Sequence, residues 1–309
     1  MLDWLCAPGP PRRRCTAIVA RSWRPAGATV VYRFDEGSAP DAVAKLGGGA
    51  RGEARALREL AGAARSASAN VPSLLSEGTL GALPLIVESP VPGSPVPTSL
   101  RGSPDRARTV LGAVASWLDA WNAATLTPRV FERADAERLV LEPARSLSPS
   151  LADGGAYLSW LDHLCESCVG TEIPFVAAHN DLTAANILVD DRNGLGIVDW
   201  EEASASCLPL GDLVYAAADL AAAGDGYRDR PAAFASAFEH EGTFAESTRA
   251  LLASAVRARG LDAPGVDLCF QACWLRHARN ELDEAASRDM PERPFLDVLR
   301  RASAVRLGR

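Results

Sequence analysis

The chain has 309 residues, of which 48% are apolar and 23% are charged, and its net charge is −7. These values are ordinary for a globular protein, and the length is sufficient for two hydrophobic cores. The negative charge argues against nucleic acid as the main partner, because binding to a phosphate backbone requires a basic surface. No apolar run reaches about 18 residues, so we predict no membrane-spanning helix.

The number of cysteines and the first residues of the chain indicate the cellular location of the protein. Seven cysteines are an odd number without the spacing of a disulfide framework, which favours a reducing cytoplasm. Residues 1–14 carry their arginines after a short apolar stretch, the reverse of the order in a secretory signal. Cys165 and Cys168 could bind zinc, but their spacing equally fits neighbours on an apolar helix, the interpretation that we favour. We therefore predict a cytoplasmic protein.

The first part of the chain reads as strands around one helix. Apolar, β-branched runs predict strands from Cys15 to Arg21 and from Ala28 to Phe34, and Lys45 lies in a third, short alternating run. Residues 51–61 have the apolar spacing of an amphipathic helix. Residues 71–78 and 83–93 contain two further predicted strands.

After Val91 the pattern becomes helical. Ser103 is a capping residue followed by Pro104, which is favoured in the first turn, and apolar residues then recur at helical spacing. A second amphipathic helix is predicted from about Gly155 to Cys168. A buried helix should begin near Asp212.

Lysine is almost absent from this chain. It has a single lysine, Lys45, against 31 arginines, which indicates that most basic positions have become arginine. Arginine is a planar fork and lysine a compact point charge, so a site that requires an ammonium group cannot exchange one for the other. We interpret Lys45 as a retained functional residue.

The most informative segment is residues 179–201, HNDLTAANILVDDRNGLGIVDWE. Two apolar runs flank Asn193-Gly194, a dipeptide suited to a two-residue type I′ turn, which predicts a hairpin. In that register Leu188 pairs with Asp199, and Asn186 is the diagonal neighbour of Asp199, about 7 to 8 Å away. Amide and carboxylate oxygens at that separation can share one Mg²⁺.

Asp181 precedes this hairpin in a predicted loop. A hydroxyl substrate requires an acceptor for its proton when a bond to phosphorus forms, and a carboxylate at this position suits that role. His179, two residues earlier, is the less promising catalytic group. We expect it to support the loop by hydrogen bonding.

The spacing of His179, Asp181 and Asn186, followed by a strand that ends in Asp199, resembles the catalytic segment of the protein-kinase-like superfamily. The sequence from Asp199 to Glu201, Asp-Trp-Glu, resembles that of the aminoglycoside phosphotransferase and choline kinase branch. The resemblance implies an α+β, bilobal fold. Residues 1–90 would form an N-lobe with an antiparallel sheet and one helix, and residues 91–309 a mostly helical C-lobe that carries the catalytic hairpin.

The resemblance also implies roles for individual residues. Asp181 would be the catalytic base, and Asn186 and Asp199 would bind Mg²⁺. Asp212 would tie its helix to the catalytic loop. The implied nucleotide contacts are Lys45, which binds phosphates; Glu53, which holds Lys45, with Glu59 as the alternative; Ser22 in the turn after the first strand; and Glu88, Ser89 and Pro90 in the hinge.

The resulting hypothesis is Mg²⁺-dependent transfer of the γ-phosphoryl group of ATP or GTP to a hydroxyl of a small molecule, with an antibiotic as the leading acceptor class. The alternatives are a metabolic kinase for a sugar or amino alcohol, and a nucleotide-binding pseudokinase that acts as a regulator. The resemblance fades beyond Gly224. The acceptor, the choice between ATP and GTP and the oligomeric state therefore stay open.

Overall fold

A computed structural model describes residues 16–21, 29–34, 40–100, 103–286 and 293–306. The chain divides into two compact units. The first comprises Met1–Pro95, His179–Asp181 and Asn186–Ala205, and the second comprises Val96–Ala178, Leu182–Ala185 and Ser206–Arg309. The sequence-based division at residue 90 assigned the hairpin to the second part of the chain, whereas the compact units group it with the first. The two functional lobes stay a prediction.

A five-stranded antiparallel sheet forms the first unit's framework. Its strands are β1 (Thr16–Arg21), β2 (Thr29–Phe34), β3 (Ala42–Leu46), β4 (Leu74–Leu80) and β5 (Leu83–Glu88). Their order is β1-β2-β3-β5-β4, so β3 is central. Lys45 of β3 pairs with Val30 of β2 and Ile86 of β5. The predicted strand around Lys45 is therefore the middle strand of the sheet.

Two helices follow β3 in this unit. The helix α1 (Gly49–Glu59) lies near its predicted position, and a short helix, Ala61–Ser66, follows it. Ala50 and Ala54 of α1 pack against Ile86 in a small buried cluster. Small alanine side chains on this face allow the helix to lie close to the sheet.

The first turns of α1 also contact the segment after Asp199. A Cβ atom on Gly52 would lie 2.5 Å from the main-chain oxygen of Glu201, and one on Gly49 would overlap the Glu201 carboxylate. At Gly52 the close atom belongs to the main chain, so this position requires glycine, whereas the Glu201 side chain next to Gly49 can rotate away. The glycines therefore let α1 approach the chain next to Asp199.

The predicted hairpin is present, but its register is different. Strand Ile187–Val189 pairs with strand Leu195–Ile197, with Leu188 opposite Gly196. The predicted pairing of Leu188 with Asp199 is therefore wrong, as is the diagonal relation of Asn186 to Asp199. The Val198 N–H donates to the Asn186 carbonyl at 3.0 Å, so Asn186 lies across from the residue before Asp199.

The turn explains the difference in register. Asn193 has a φ of 61°, but Gly194 is not in the left-handed region, so the predicted type I′ turn is absent. The Asp190 carboxylate instead accepts hydrogen bonds from the N–H groups of Arg192 and Gly194, at 2.8 and 2.6 Å. Aspartate commonly stabilises turns through bonds of this kind, and a left-handed third residue is typical of a three-residue hairpin loop.

Main-chain bonds attach the hairpin to the first unit. Strand Ser94–Pro95 pairs with Ile187–Val189, and this small sheet has three strands. On the other side, the Asn70 N–H donates to the Leu195 carbonyl at 2.7 Å, and the Ile197 N–H donates to the Asn70 carbonyl at 2.9 Å. These bonds place the hairpin between two segments of the first unit. One is Ser94–Pro95, which follows β5, and the other is Asn70, which follows the two helices.

The second unit is mostly helical. Its strand Val176–Ala178 precedes the loop that contains Asp181, and strand Ser204–Cys207 leads from the first unit into the second. Helices and helical turns occupy Val96–Leu100, Pro104–Thr125, Arg133–Ala136, Glu137–Leu141 (a π-helix), Glu142–Leu147, Ser148–Ser150, Gly154–Cys168, Gly211–Gly224, Arg230–Phe238, Thr243–Arg259, Ala263–Ala286 and Pro294–Arg306.

The predicted starts of these helices agree with the structure. Ser103 caps the helix Pro104–Thr125 by accepting a hydrogen bond from the Arg106 N–H. The helices predicted near Gly155 and Asp212 begin at Gly154 and Gly211. Within the described ranges, no helix is both long enough and apolar enough to cross a membrane.

The Gly52 contact yields a test. We expect Gly52→Ala to lower the free energy of unfolding by about 1 to 3 kcal/mol, because the new methyl group would press against the Glu201 carbonyl. Urea unfolding measures this change. The control is Gly62→Ala in helix Ala61–Ser66, where nothing lies within 4 Å of the added carbon. That control should be neutral or stabilising by up to about 1 kcal/mol; equal losses in the two variants would refute the close-contact explanation.

Candidate functional site

Lys45 lies at the centre of a buried ionic cluster in the first unit. Its Nζ donates to the two carboxylate oxygens of Glu53 at 2.6 and 2.7 Å and to Asp199 Oδ1 at 3.2 Å. Glu88 Oε1 is 3.4 Å from the same atom. The lysine side chain is only 10% exposed. Three residues from three other segments, Glu53, Glu88 and Asp199, therefore meet at the ammonium group of Lys45.

Glu53 projects from α1 and is fully buried. Besides Lys45 it accepts a hydrogen bond from the Trp200 N–H, with 3.1 Å between the nitrogen and Oε1. Glu59, the alternative partner for Lys45, is exposed. The structure thus pairs Lys45 with Glu53 and links this pair to the residue after Asp199.

Electrostatics keep Lys45 charged. Burial by itself lowers the pKa of a lysine, but attraction by Glu53, Glu88 and Asp199 outweighs that effect, so the pKa of Lys45 lies above its ordinary value of 10.5. A protonated amine at this position is the group that a phosphate would meet.

Glu88 is the last residue of β5, and its side chain faces the cluster. Glu88 pairs with Val43 across β3 and β5, while Lys45 pairs with Ile86, so Lys45 and Glu88 are diagonal neighbours on one face of the sheet. Burial raises the pKa of Glu88 from 4.5 to about 8, although Lys45 opposes the shift. Its Oε2 atom is buried and has no hydrogen-bond partner among the residues that the structure describes. We expect Glu88 to be largely protonated at neutral pH.

The hinge prediction concerned the backbone at Glu88, Ser89 and Pro90. The Ser89 N–H donates to the Ser73 carbonyl at 2.9 Å, and Pro90 has no N–H group. The side-chain position of Glu88 was not predicted. Strand alternation would have indicated it, because Glu88 shares a face with buried Ile86.

Asp199 follows the hairpin and has a left-handed backbone, with a φ of 67°. Such a φ is uncommon for residues other than glycine and often occurs at functional sites. It turns the chain out of strand Leu195–Ile197, so strand alternation no longer sets the direction of the carboxylate. Its side chain is 39% exposed while Oδ1 contacts Lys45. Two residues later, burial raises the pKa of Glu201 to about 7, and Asp199 adds to this effect.

Asp181 and Asn186 form a second contact. The Asn186 side-chain amide donates to the Asp181 carbonyl at 2.9 Å and to Asp181 Oδ2 at 3.1 Å. This arrangement directs the amide oxygen of Asn186 away from Asp181. The structure thus joins the predicted base to one predicted metal ligand, while Asp199 is joined to Lys45.

His179 supports this loop from inside the first unit. Its side chain is fully buried, with Nε2 3.1 Å from the Val198 carbonyl oxygen and its ring at 5.0 Å from that of Trp200 in an edge arrangement. The position agrees with the expected supporting role. Ser22, the remaining predicted nucleotide contact, lies outside the described residues.

The donor set around the loop suits a hard divalent cation. Asn186 and Asp199 supply an amide and a carboxylate oxygen, and Mg²⁺ usually binds through one or two carboxylates together with substrate phosphates and water. Among the described residues, no group of three or more His, Cys, Asp or Glu side chains is placed to hold a metal alone.

The raised pKa of Glu88 predicts how stability depends on pH. The folded protein holds a proton on Glu88 that the unfolded chain releases near pH 4.5, so the free energy of unfolding should fall as pH rises from 4.5 to about 8. Glu88→Gln keeps the neutral shape and removes this dependence. We expect this variant to be about 2 to 4 kcal/mol more stable than the parent near pH 8 and similar near pH 5.

Urea unfolding at a series of pH values measures the effect. Glu59→Gln, at an exposed position of α1, is the control and should follow the parent curve. Parallel curves for the Glu88→Gln variant and the parent would show that Glu88 is ionised in the folded protein at neutral pH. Part of the slope should survive in Glu88→Gln, because burial also raises the pKa of Glu201.

Comparison with solved structures shows the fold. A thermostable mutant of aminoglycoside phosphotransferase APH(4)-Ia, in its apo form, matches with a TM-score of 0.58 and 17% identity, over 95% of this chain and 97% of that one. A mutant of aminoglycoside 2′-phosphotransferase-IIIa in complex with GDP matches with a TM-score of 0.58 and 15% identity, over 99% and 96%. The APH(4)-Ia mutant with ADP and hygromycin B gives 0.55 and 17%, over 94% and 95%.

These matches confirm the predicted α+β kinase-like fold. No curated protein sequence matches the chain. The model of a phosphotransferase enzyme family, APH, matches residues 24–253, which is well over half of the chain. This match confirms the predicted family and the predicted enzyme class, transfer of phosphate to an alcohol group. The chain belongs to the phosphotransferase enzyme family.

Proposed function

We propose that the protein transfers the γ-phosphoryl group of ATP or GTP to a hydroxyl group of a small molecule and that the reaction requires Mg²⁺. The observation that carries this proposal is the cluster in which Lys45 contacts both Glu53 and Asp199. The hairpin that leads to Asp199 begins at Asn186, whose side chain contacts Asp181. An ammonium group, oxygen ligands and a base are the groups that phosphoryl transfer requires.

Lys45 is assigned to the phosphates of the nucleotide. Its charge is maintained by the carboxylates around it, and Glu53 fixes its position because the two side chains share two short hydrogen bonds. A fixed ammonium stabilises negative charge that develops on the transferred group without having to reorganise during the reaction.

Asn186 and Asp199 are assigned to Mg²⁺. The ion, when bound, would neutralise charge on the nucleotide phosphates and orient them. The chain's own contribution is to hold the two oxygens. The Asn186 amide is oriented by its two bonds to Asp181, and Asp199 is held by Lys45.

Asp181 is assigned as the base that orients the acceptor hydroxyl and receives its proton. The bond from Asn186 to Oδ2 fixes the plane of the carboxylate. A carboxylate with a fixed plane presents its second oxygen in a defined direction. General-base groups of this kind contribute about 10² to 10⁴-fold to the rate.

The nucleoside base is assigned to the chain after β5. Because Pro90 has no N–H group and the Ser89 N–H is engaged with Ser73, the carbonyl groups of this segment are the acceptors offered to a base. The matched structures include one complex with GDP and one with ADP, which supports a nucleotide donor without choosing between the two purines.

An antibiotic hydroxyl is our leading acceptor, because three matched structures of one aminoglycoside phosphotransferase hold hygromycin B. A metabolic sugar or amino alcohol is the second candidate. A pseudokinase is disfavoured, since Lys45, Asp181, Asn186 and Asp199 are all present and all engaged in polar contacts. We also propose a cytoplasmic location, which the five described cysteines support because none forms a disulfide.

The base assignment is tested by Asp181→Asn. We expect the turnover number to fall by at least about 10²-fold, while the KM for the nucleotide stays within about threefold, because Asp181 acts on the acceptor hydroxyl. Steady-state kinetics with a verified acceptor measure both constants. Asp191→Asn, at an exposed position in the hairpin loop, is the control. Turnover within about tenfold of the parent for Asp181→Asn would overturn the assignment.

The acceptor is found by a screen for acceptor-dependent release of nucleoside diphosphate. Hydroxylated antibiotics, sugars and amino alcohols are tested with ATP and GTP in parallel, and loss of antibiotic activity is scored separately. Turnover with metabolic compounds alone would support the metabolic alternative. No Mg²⁺-dependent turnover with any acceptor would support the pseudokinase alternative.

A further inference from the structure

The catalytic loop has a second anchor, which lies in the second unit. Ala184, between Asp181 and Asn186 in the chain, is fully buried, and its N–H donates to Asp219 Oδ2 at 2.7 Å. Asp219 belongs to the helix Gly211–Gly224 and is itself fully buried. A main-chain N–H bonded to a buried carboxylate is a strong, charge-assisted contact.

Two further groups hold the Asp219 carboxylate. Arg230 donates to Oδ1 at 2.7 Å, and the Tyr227 hydroxyl donates to Oδ2 at 2.9 Å. All three described contacts of this carboxylate therefore come from hydrogen-bond donors. Because both oxygens accept hydrogen bonds, the orientation of the carboxylate is fixed.

The donors are themselves held in place. The Arg230 guanidinium lies over the Tyr227 ring at 5.0 Å and over the Phe295 ring at 4.7 Å. Tyr227 has a left-handed backbone, with a φ of 58°. A tyrosine in this conformation is strained and persists only where the surrounding contacts hold it. The contacts of Tyr227 with Asp219 and Arg230 hold its backbone in this conformation.

We propose that Asp219 is a positioning residue for phosphoryl transfer: it fixes the Ala184 amide and thereby the loop that carries Asp181 and Asn186. Arg230 and Tyr227 hold its carboxylate in the orientation that receives this amide. This inference rests on the proposed function, because it assigns to Asp219 the placement of the base and a metal ligand. Asp219 acts through the loop and does not touch the substrate.

Asp219→Asn tests the proposal. Asparagine offers one oxygen and one NH₂ group, so at least one of the three donors would face another donor. We expect the turnover number to fall by about 10²-fold with KM values within about threefold, because the loop is misplaced while the binding groups remain. Asp225→Asn, which removes only an exposed pairing with Arg228, should leave the turnover number unchanged.

A readout that is independent of activity separates this inference from the proposed function. Hydrogen exchange at the Ala184 amide, followed by mass spectrometry or NMR, should accelerate by at least about tenfold in Asp219→Asn and not in Asp225→Asn. If the parent protein shows no phosphoryl transfer, the proposed function fails, whereas the exchange result still decides whether Asp219 anchors the loop.

Tyr227→Phe is the milder variant, for use if Asp219→Asn does not fold. It removes one donor and retains the charge pair, so we expect a loss of turnover of roughly three- to tenfold, again without a change in KM. The proposal is overturned if a folded variant at Asp219 or Tyr227 retains both the parent turnover number and the parent exchange rate at Ala184.

Discussion

One ammonium group, that of Lys45, determines how the first unit is assembled. Because a charge buried in protein is costly unless it is paired, the position of Lys45 requires anions around it. The acidic side chains around it come from three different parts of the chain: Glu53 from α1, Glu88 from β5, and Asp199 from the segment after the hairpin. The mutual orientation of these elements is therefore coupled to a single cation.

Such a cluster is better understood as a device for orientation than as a source of stability. The free energy needed to remove two charges from water can equal the free energy gained from their attraction in the interior. Removal of one partner alone, however, is strongly destabilising. Glu53 shows the orienting effect, because the carboxylate that binds Lys45 also accepts the Trp200 N–H. The chain next to Asp199 is thus fixed by the group that fixes the lysine.

The charge balance of the cluster also limits what it can bind. With Glu88 protonated, one ammonium faces the carboxylates of Glu53 and Asp199, so the cluster retains a net negative charge. A nucleotide's phosphates would be repelled by this charge unless a divalent cation accompanied them. The proposed need for Mg²⁺ therefore follows from the charge of the cluster as well as from its oxygen ligands. Ionisation of Glu88 would increase the repulsion.

Residue type and spacing were sufficient to select candidate residues of the site. They were not sufficient to predict the backbone where a side chain determines its conformation. Lys45 was identified because it is the chain's only lysine, and Glu53 because the family resemblance implies a glutamate at its place in the helix. The register of the hairpin was wrong because the Asp190 carboxylate binds two N–H groups and selects a longer turn than Asn193-Gly194 suggests.

The hydrogen bond from Ala184 to Asp219 illustrates the same limit at longer range. The tie that was expected from Asp212 stays a prediction, and the contact with the Ala184 N–H belongs to Asp219, two turns later in the same helix. Both are acidic residues of one helix, and no local pattern distinguishes them. The distinction comes from Arg230 and Tyr227, whose donors converge on one carboxylate only in the folded chain. Within the loop, the Asn186 amide contacts Asp181, and the Asp219 carboxylate holds the Ala184 N–H. Residues 181–186 thus have their geometry determined at more than one point, and the catalytic role proposed for this loop requires this because small displacements of reacting groups reduce the rate steeply.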